Sequence, residues 1–333
     1  MPKTALVRLA ASLGLAITCA LHAAQAQWYK NEQAIMGTDV IAEVWSDDPQ
    51  LAQRGIDAVM REMRRIDDTM SPYKPDSELS LVNREAAQHP VKISRELYDL
   101  IARSLAVSNL SGGAFDITFA SVGYMYDYRD GIKPTDAEIK SHLSGINYHH
   151  IHLDPRAYTI RFDKPGVRID LGGIAKGHAV DNCIALLEKL GIHDALVTAG
   201  GDTRILGTHH GRPWMTGIRD PRNEHGTAVV IPLSNTAIST SGDYERYFIR
   251  NGVRYHHILN PKTGKSVHST RSATVLGPDA TTTDALSTTL FVLGPKRAMA
   301  LVETLPGIDA IIIDATGVMH YSSGLEPPPK PRH

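Results

Sequence analysis

Apolar residues at positions 56, 59, 60, 63 and 66 recur at the three- and four-residue spacing of one helix face, which predicts a helix over 49–70. The stretch 35–45 before it reads as a strand interrupted by Met36-Gly37-Thr38. A second amphipathic helix is expected over 94–109, and Thr135 with Glu138 fits a capping box that starts a short helix. Segments 148–154 and 158–163 read as strands. Residues 167–171 read as a strand that runs through Gly172-Gly173 into a helix ending at Leu190, with Gly191 as its stop. Val180, Cys183, Ile184, Leu187 and Leu190 would form that helix's core face. From 195 to 258 short strands alternate with turns; 244–250 and 253–258 flank Asn251-Gly252, a tight-hairpin signal. Helices over 281–293 and 295–304 precede an apolar strand at 308–315. Strands outnumber helices without βαβ alternation, so the expected class is α+β, mainly antiparallel or mixed sheets flanked by helices.

The N-terminus breaks this pattern. Lys3 and Arg8 precede an apolar run over 9–24 that ends in Ala24-Gln25-Ala26, a small-x-small cleavage signal, so residues 1–26 read as a signal peptide. The run is shorter than the roughly 20 apolar residues a bilayer span needs. Cleavage would leave Cys183 as a single thiol with no intrachain partner. Cys19 could instead be a lipidated N-terminus, but Leu15-Ala16-Ile17-Thr18 makes a poor lipobox. The chain is therefore expected in the periplasm, membrane-bound only if lipidated at Cys19. Lys and Arg number 35 against 36 Asp and Glu, a net charge of −1, which supplies no footprint for nucleic acid. Residues 27–325 would form one catalytic unit, and 326–333 a proline-rich tail.

Several segments place small, polar or glycine residues where structure alone would not require them. The turn Asp170-Leu-Gly-Gly-Ile-Ala-Lys-Gly177 stands at a strand-to-helix junction, where backbone amides bind anions and glycine admits a phosphate; an ordinary glycine-bearing connection is the alternative. It is neither a Walker A loop nor a dinucleotide fingerprint. Asp284, Ser287 and Thr288 share a helix face and offer hard oxygen donors of the kind magnesium takes, although Thr281 with Asp284 also fits a capping-box variant. His257 could accept a proton from an attacking hydroxyl, or be a plain surface strand histidine; alternation puts His256 on the opposite face. His149, His150 and His152 lack a cysteine or carboxylate at ligand spacing and read as exposed histidines, not a zinc site.

In this order, Met36-Gly37-Thr38, Ser71-Pro-Tyr73, Ser77-Glu78, Gly112-Gly-Ala-Phe-Asp-Ile-Thr118, Asp170 to Gly177, Gly200-Gly-Asp202, Ala237 to Asp243, His257-Ile-Leu-Asn-Pro-Lys-Thr-Gly264 and Asp284-Ala-Leu-Ser-Thr288 resemble the FAD:protein FMN transferase (ApbE-type) family across nearly the whole mature chain. The resemblance implies flavin bound between two α/β lobes, with FAD contacts at Met36, Tyr73, Ala114, Phe115, Asp116, Asp170, Lys176 and Ile258. It implies Mg2+ at Asp284, Ser287, Thr288 and the Gly173 carbonyl, and His257 as base. The implied acceptors are flavoprotein subunits of membrane redox complexes, modified on Thr or Ser. One departure is His178, where an aromatic residue is common. FAD hydrolysis to FMN and AMP, or non-catalytic flavin binding in the envelope, are the competing functions; a nicotinamide dehydrogenase lacks its glycine spacing, and a serine hydrolase lacks G-x-S-x-G.

Overall fold

Eight strands build one sheet whose spatial order is their order along the chain: β1 (Gln27–Ile35), β2 (Thr38–Ser46), β3 (Ala195–Ala199), β4 (Asp202–Leu206), β5 (Ala237–Gly242), β6 (Thr270–Gly277), β7 (Asp309–Asp314) and β8 (Met319–Tyr321). Every neighbouring pair is antiparallel. The computed structural model describes residues 26–223 and 226–325; residues 1–25 of the expected signal peptide (1–26) and the expected tail 326–333 lie outside them.

Helices cover one face of the sheet. Of α1 (Pro49–Met70), α2 (Glu78–Glu85), α3 (Arg95–Leu110), α4 (Ala120–Gly123), α5 (Asp136–His142), α6 (Ala175–Lys189), α7 (Ala280–Leu293) and α8 (Pro295–Val302), the first and the last three form this layer. Helix α1 lies over β1 and β2, α6 over β3 and β4, α7 over β5 and β6, and α8 against β7. The expected α1 stripe is the buried one, with Ile56, Val59, Met60, Met63 and Ile66 inside, and Asp48 caps its first turn by accepting from the Gln50 amide at 2.8 Å. The opposite sheet face is covered by the ribbon Trp214–Arg219 and Thr227–Leu233, whose Trp214, Ile218 and Leu233 pack on Ile205, Ile238, Leu276 and Ile311. The α+β class with antiparallel sheets flanked by helices is thus the observed one.

Three sequence expectations change. The strand expected over 35–45 is two strands: Met36 and Gly37 both take positive φ, 56° and 70°, and turn β1 directly into β2, with Ile35 opposite Thr38. The strand expected over 167–171 is extended backbone outside any sheet. Its hydrogen bonds go to side chains and a turn: Asn83 Nδ2 donates to the Ile169 carbonyl at 2.9 Å, its Oδ1 accepts from the Ile169 amide at 2.8 Å, and Ser121 Oγ accepts from Arg168 at 3.0 Å. The Asp170 amide donates to the Ile117 carbonyl at 3.0 Å. A segment satisfied this way needs no partner strand. Leu190 is not core; as the α6 C-cap it is 37% exposed, while Val180, Cys183, Ile184 and Leu187 are buried.

Candidate functional site

The turn after Asp170 delivers the start of α6 against α7. Asp170 Oδ1 accepts the Gly172 amide at 2.6 Å, closing the turn, and Ile174 at the N-cap gives α6 no side-chain cap. The Ala175 amide that opens the helix donates instead to the Leu171 carbonyl at 2.8 Å. Lys176 Nζ then reaches three groups: Asp202 Oδ2 at 2.9 Å, the Asp284 carboxylate at 3.4 Å and the Gly172 carbonyl at 2.8 Å. One turn face on, the Gly177 amide donates to Asp284 Oδ2 at 3.0 Å. A Cβ at Gly177 would lie 2.1 Å from the Ala280 carbonyl oxygen, so only glycine lets the two helices meet this closely.

Helix α7 brings its oxygen-bearing face to the same point. The capping-box alternative for Asp284 does not hold, because the N-cap is Asp279, which accepts the Thr282 amide at 2.8 Å. Thr281 Oγ1 donates instead to Asp181 of α6 at 2.6 Å, and Asp181 also accepts the Ala280 and Thr281 amides, each at 2.8 Å. Asp284 is thus free to face α6. Ser287 Oγ and Thr288 Oγ1 lie 2.8 and 3.2 Å from Ser241 Oγ on β5, and a Cβ at Gly173 would stand 3.2 Å from Thr288 Oγ1. Gly173, Asp284, Ser287 and Thr288 therefore converge.

The charge balance there suits a cation. Asp202 and Asp284 are each 2% exposed, and among the described residues Lys176 is the one ammonium that pairs with both. Burial and then the neighbouring Asp202 charge push the Asp284 carboxyl upward. Burial opposes the Lys176 charge, but Asp202 and Asp284 outweigh it and hold the ammonium protonated. Two carboxylates share one positive charge beside hydroxyl and carbonyl oxygens, a donor set of the hard type that Mg2+ accepts. Among the described residues no group of three His, Cys, Asp or Glu stands at metal-holding distance, so such a cation would depend on hydroxyl, carbonyl and substrate oxygens.

His257 follows directly on the ribbon Tyr247–Arg250 and Val253–His256, turned by Asn251-Gly252 at φ 52° and 73°. Its amide donates to the Arg246 carbonyl at 3.1 Å, and its ring meets Tyr128 edge-on at 6.5 Å. Nδ1 is buried without a hydrogen-bond partner. Burial, then the charges of Arg246, His256 and Lys176, pull the imidazole down to about 3, so it is neutral at physiological pH. His256 faces the other way and is structural, its Nε2 2.6 Å from the Val267 carbonyl and its Nδ1 accepting the Ile258 amide at 3.3 Å.

The remaining site residues fall into two groups. Met36 sits in the β1–β2 turn, Tyr73 is 81% exposed, and Asp170 closes the phosphate-like turn. Ala114, Phe115, Asp116 and Ile258 are buried. Phe115 lies against Gly173, and Ala114 lines a cavity of about 30 Å³ with Gly113, Asn260, Lys262 and Arg297. The Asp116 carboxylate is committed to Thr118 N at 2.8 Å, Thr118 Oγ1 at 2.5 Å and Tyr148 N at 3.0 Å, which shapes the loop. Asp202, Ser241 and Arg246 belong to the site although sequence reasoning gave them no role; Gly200-Gly-Asp202 and Ala237 to Asp243 were the available signals.

Two features lie elsewhere. A cavity of about 480 Å³ lined by Arg95, Glu96, Asp99, Arg103, His178 and Asn182 runs along the α3–α6 seam, not beside His257. His178 is about 200° round α6 from Lys176 and meets Glu96 at 2.9 Å. His150 and His152 do have a carboxylate nearby, contrary to the sequence reading: both contact Asp163, brought across by the Ile151–Asp154 and Thr159–Phe162 pairing. His149 lies against Tyr148 instead, with ring centroids 4.1 Å apart and planes tilted by 34°.

The family model described as ApbE family matches residues 36–312. The FAD:protein FMN transferase of Treponema pallidum (strain Nichols) is 32% identical over 325 residues, covering 91% of this chain and 89% of its own length. The Vibrio cholerae protein of the same name (strain O395) is 33% identical over 291 residues, covering 84% and 85%. Among solved structures, the ApbE protein of Thermotoga maritima superposes with a TM-score of 0.83 at 35% identity, covering 90% of this chain and 98% of that one.

Proposed function

The chain belongs to the ApbE family and is an FAD:protein FMN transferase, and from that premise we propose that it moves FMN from FAD onto a Thr or Ser hydroxyl of an acceptor flavoprotein with the help of Mg2+. The observation that carries the chemistry is the orphaned, neutral His257 beside a convergence of buried oxygens fed by Lys176. Gly173, Asp284, Ser287 and Thr288 would hold the magnesium ion. Bound there, it would neutralise pyrophosphate charge as a Lewis acid.

The chain's own residues do the rest. The positive end of the α6 dipole favours phosphate oxygens, and Lys176 keeps the Asp202–Asp284 pair from repelling the anion. Met36, Tyr73, Ala114, Phe115, Asp116, Asp170 and Ile258 position the flavin half, Tyr73 being the exposed ring available to stack. The acceptor oxygen bonds to the riboflavin-side phosphorus as the anhydride bond breaks; His257 takes the hydroxyl proton, and AMP departs with the electron pair. Residues 27–325 act as one catalytic unit.

Location and partners complete the reading. No helix among the described residues is long and apolar enough to cross a membrane. The basic and apolar pattern of residues 3–26 supports export to the periplasm, where flavoprotein subunits of membrane redox complexes are the acceptors.

Purified protein incubated with FAD, magnesium and such a subunit leaves a flavin-fluorescent acceptor band on a denaturing gel. His257→Asn and Asp284→Asn each reduce the labelling rate by about 10²- to 10⁴-fold. Full labelling by either variant overturns the roles given; AMP release with no labelled acceptor favours FAD hydrolysis.

A further inference from the structure

We propose that Arg246 is a further phosphate-binding residue of this site, its guanidinium holding the phosphoryl group of FMN on the His257 side, opposite Lys176. The inference rests on the flavin-transfer reading above. Its basis is position. The Arg246 carbonyl accepts the His257 amide at 3.1 Å, so Arg246 and the base are fixed to each other through the backbone. Its Nη2 stands 3.4 Å from the Gly37 carbonyl, which places the guanidinium over the Met36-Gly37 turn. Its charge also reaches Asp170 and Tyr73, so one cation faces four segments that the fold gathers from far apart in sequence.

An exposed arginine without a carboxylate partner is ordinary on a protein surface. This one differs in what surrounds it. The other full cation that acts on His257, Lys176, is committed to Asp202 and Asp284. Among the described residues Arg246 makes no ion pair, and a guanidinium carries five donors, of which the Gly37 carbonyl takes one. Asp170, Asp202 and Asp284 make the floor of the site acidic, so a transferring phosphoryl group would meet repulsion on the base side unless a cation stood there. Arginine's planar fork matches phosphate oxygens in a way lysine's point charge does not.

Binding of FMN and of riboflavin, which differ only by the phosphate, isolates this contact without relying on turnover. Dissociation constants are measured by flavin-fluorescence quenching with the mature chain in excess chelator, for wild type, Arg246→Gln and Arg246→Lys. The wild type is expected to prefer FMN, and Arg246→Gln to reduce that preference roughly tenfold or more with riboflavin affinity unchanged, as loss of a charge-assisted hydrogen bond requires. Arg246→Lys is expected to retain part of the preference. An FMN-to-riboflavin ratio unchanged in Arg246→Gln overturns the inference while leaving flavin transfer standing, and equal weakening of both ligands shows a merely structural role. Wild type that binds neither flavin would overturn the flavin reading itself.

Discussion

Lys176 illustrates how the site resolves at single residues. Replacing it with methionine leaves Asp202 and Asp284 facing each other, buried and unpaired. Stranding buried charge costs about 3–5 kcal/mol, so Lys176→Met is expected to melt several degrees lower, and magnesium to raise its melting temperature more than that of the wild type. Equal melting with no metal would show that the three groups do not form a charged cluster. The sequence made Lys176, Asp284, Ser287 and Thr288 legible because glycine turns and i, i+3, i+4 oxygen spacing are local patterns. Asp202 and Arg246 were not legible as site residues, since their roles arise only when β4 and the segment before the 247–256 ribbon are brought to α6 and the β1–β2 turn. The Asp163 carboxylate beside His150 and His152 was hidden for the same reason, since strand pairing brings it across.

At the scale of elements, the contact between α6 and α7 sets the site, and its two fasteners can be tested separately. Gly177→Ala places a methyl 2.1 Å from the Ala280 carbonyl oxygen and 2.9 Å from Asp284 Cβ, so the helices must separate. Overpacking of this kind is expected to cost about 3 kcal/mol in urea denaturation and to displace the carboxylate from its Gly177 amide. Asp181→Ala removes the acceptor of two amides and one hydroxyl at the start of α7, an expected loss of about 1–2 kcal/mol. Unchanged denaturation midpoints in both variants would show that this seam does not organise α7. Long amphipathic helices such as α1 were legible almost to the residue because burial and periodicity agree. The strand expected at 167–171 was not, since Asn83 and Ser121 satisfy its backbone from outside any sheet, and no local pattern announces that.

For the whole molecule, acid stability follows from histidines buried uncharged. Burial pulls His256 from its ordinary 6.5 down to about 4, and His257 lower still. The unfolded chain therefore binds protons that the folded chain refuses, and stability falls as pH drops from about 6.5 toward 4. The raised carboxyl of Asp284 acts in the opposite sense, so the readout is a difference: His256→Gln is expected to flatten the acid limb of the melting profile relative to wild type. Parallel profiles would place the proton-linked term elsewhere. The overall class was legible from strand-rich composition and hairpin signals, whereas the single eight-stranded sheet in chain order was not, because long-range pairing leaves no trace in periodicity. The most direct measurement is the intact mass of an acceptor subunit after incubation with FAD, magnesium and this protein, with and without excess chelator. The expected result is a gain of one FMN less one water on a Thr or Ser, with AMP released, and no gain under chelation; an unmodified acceptor, or equal modification with the cation removed, contradicts the account.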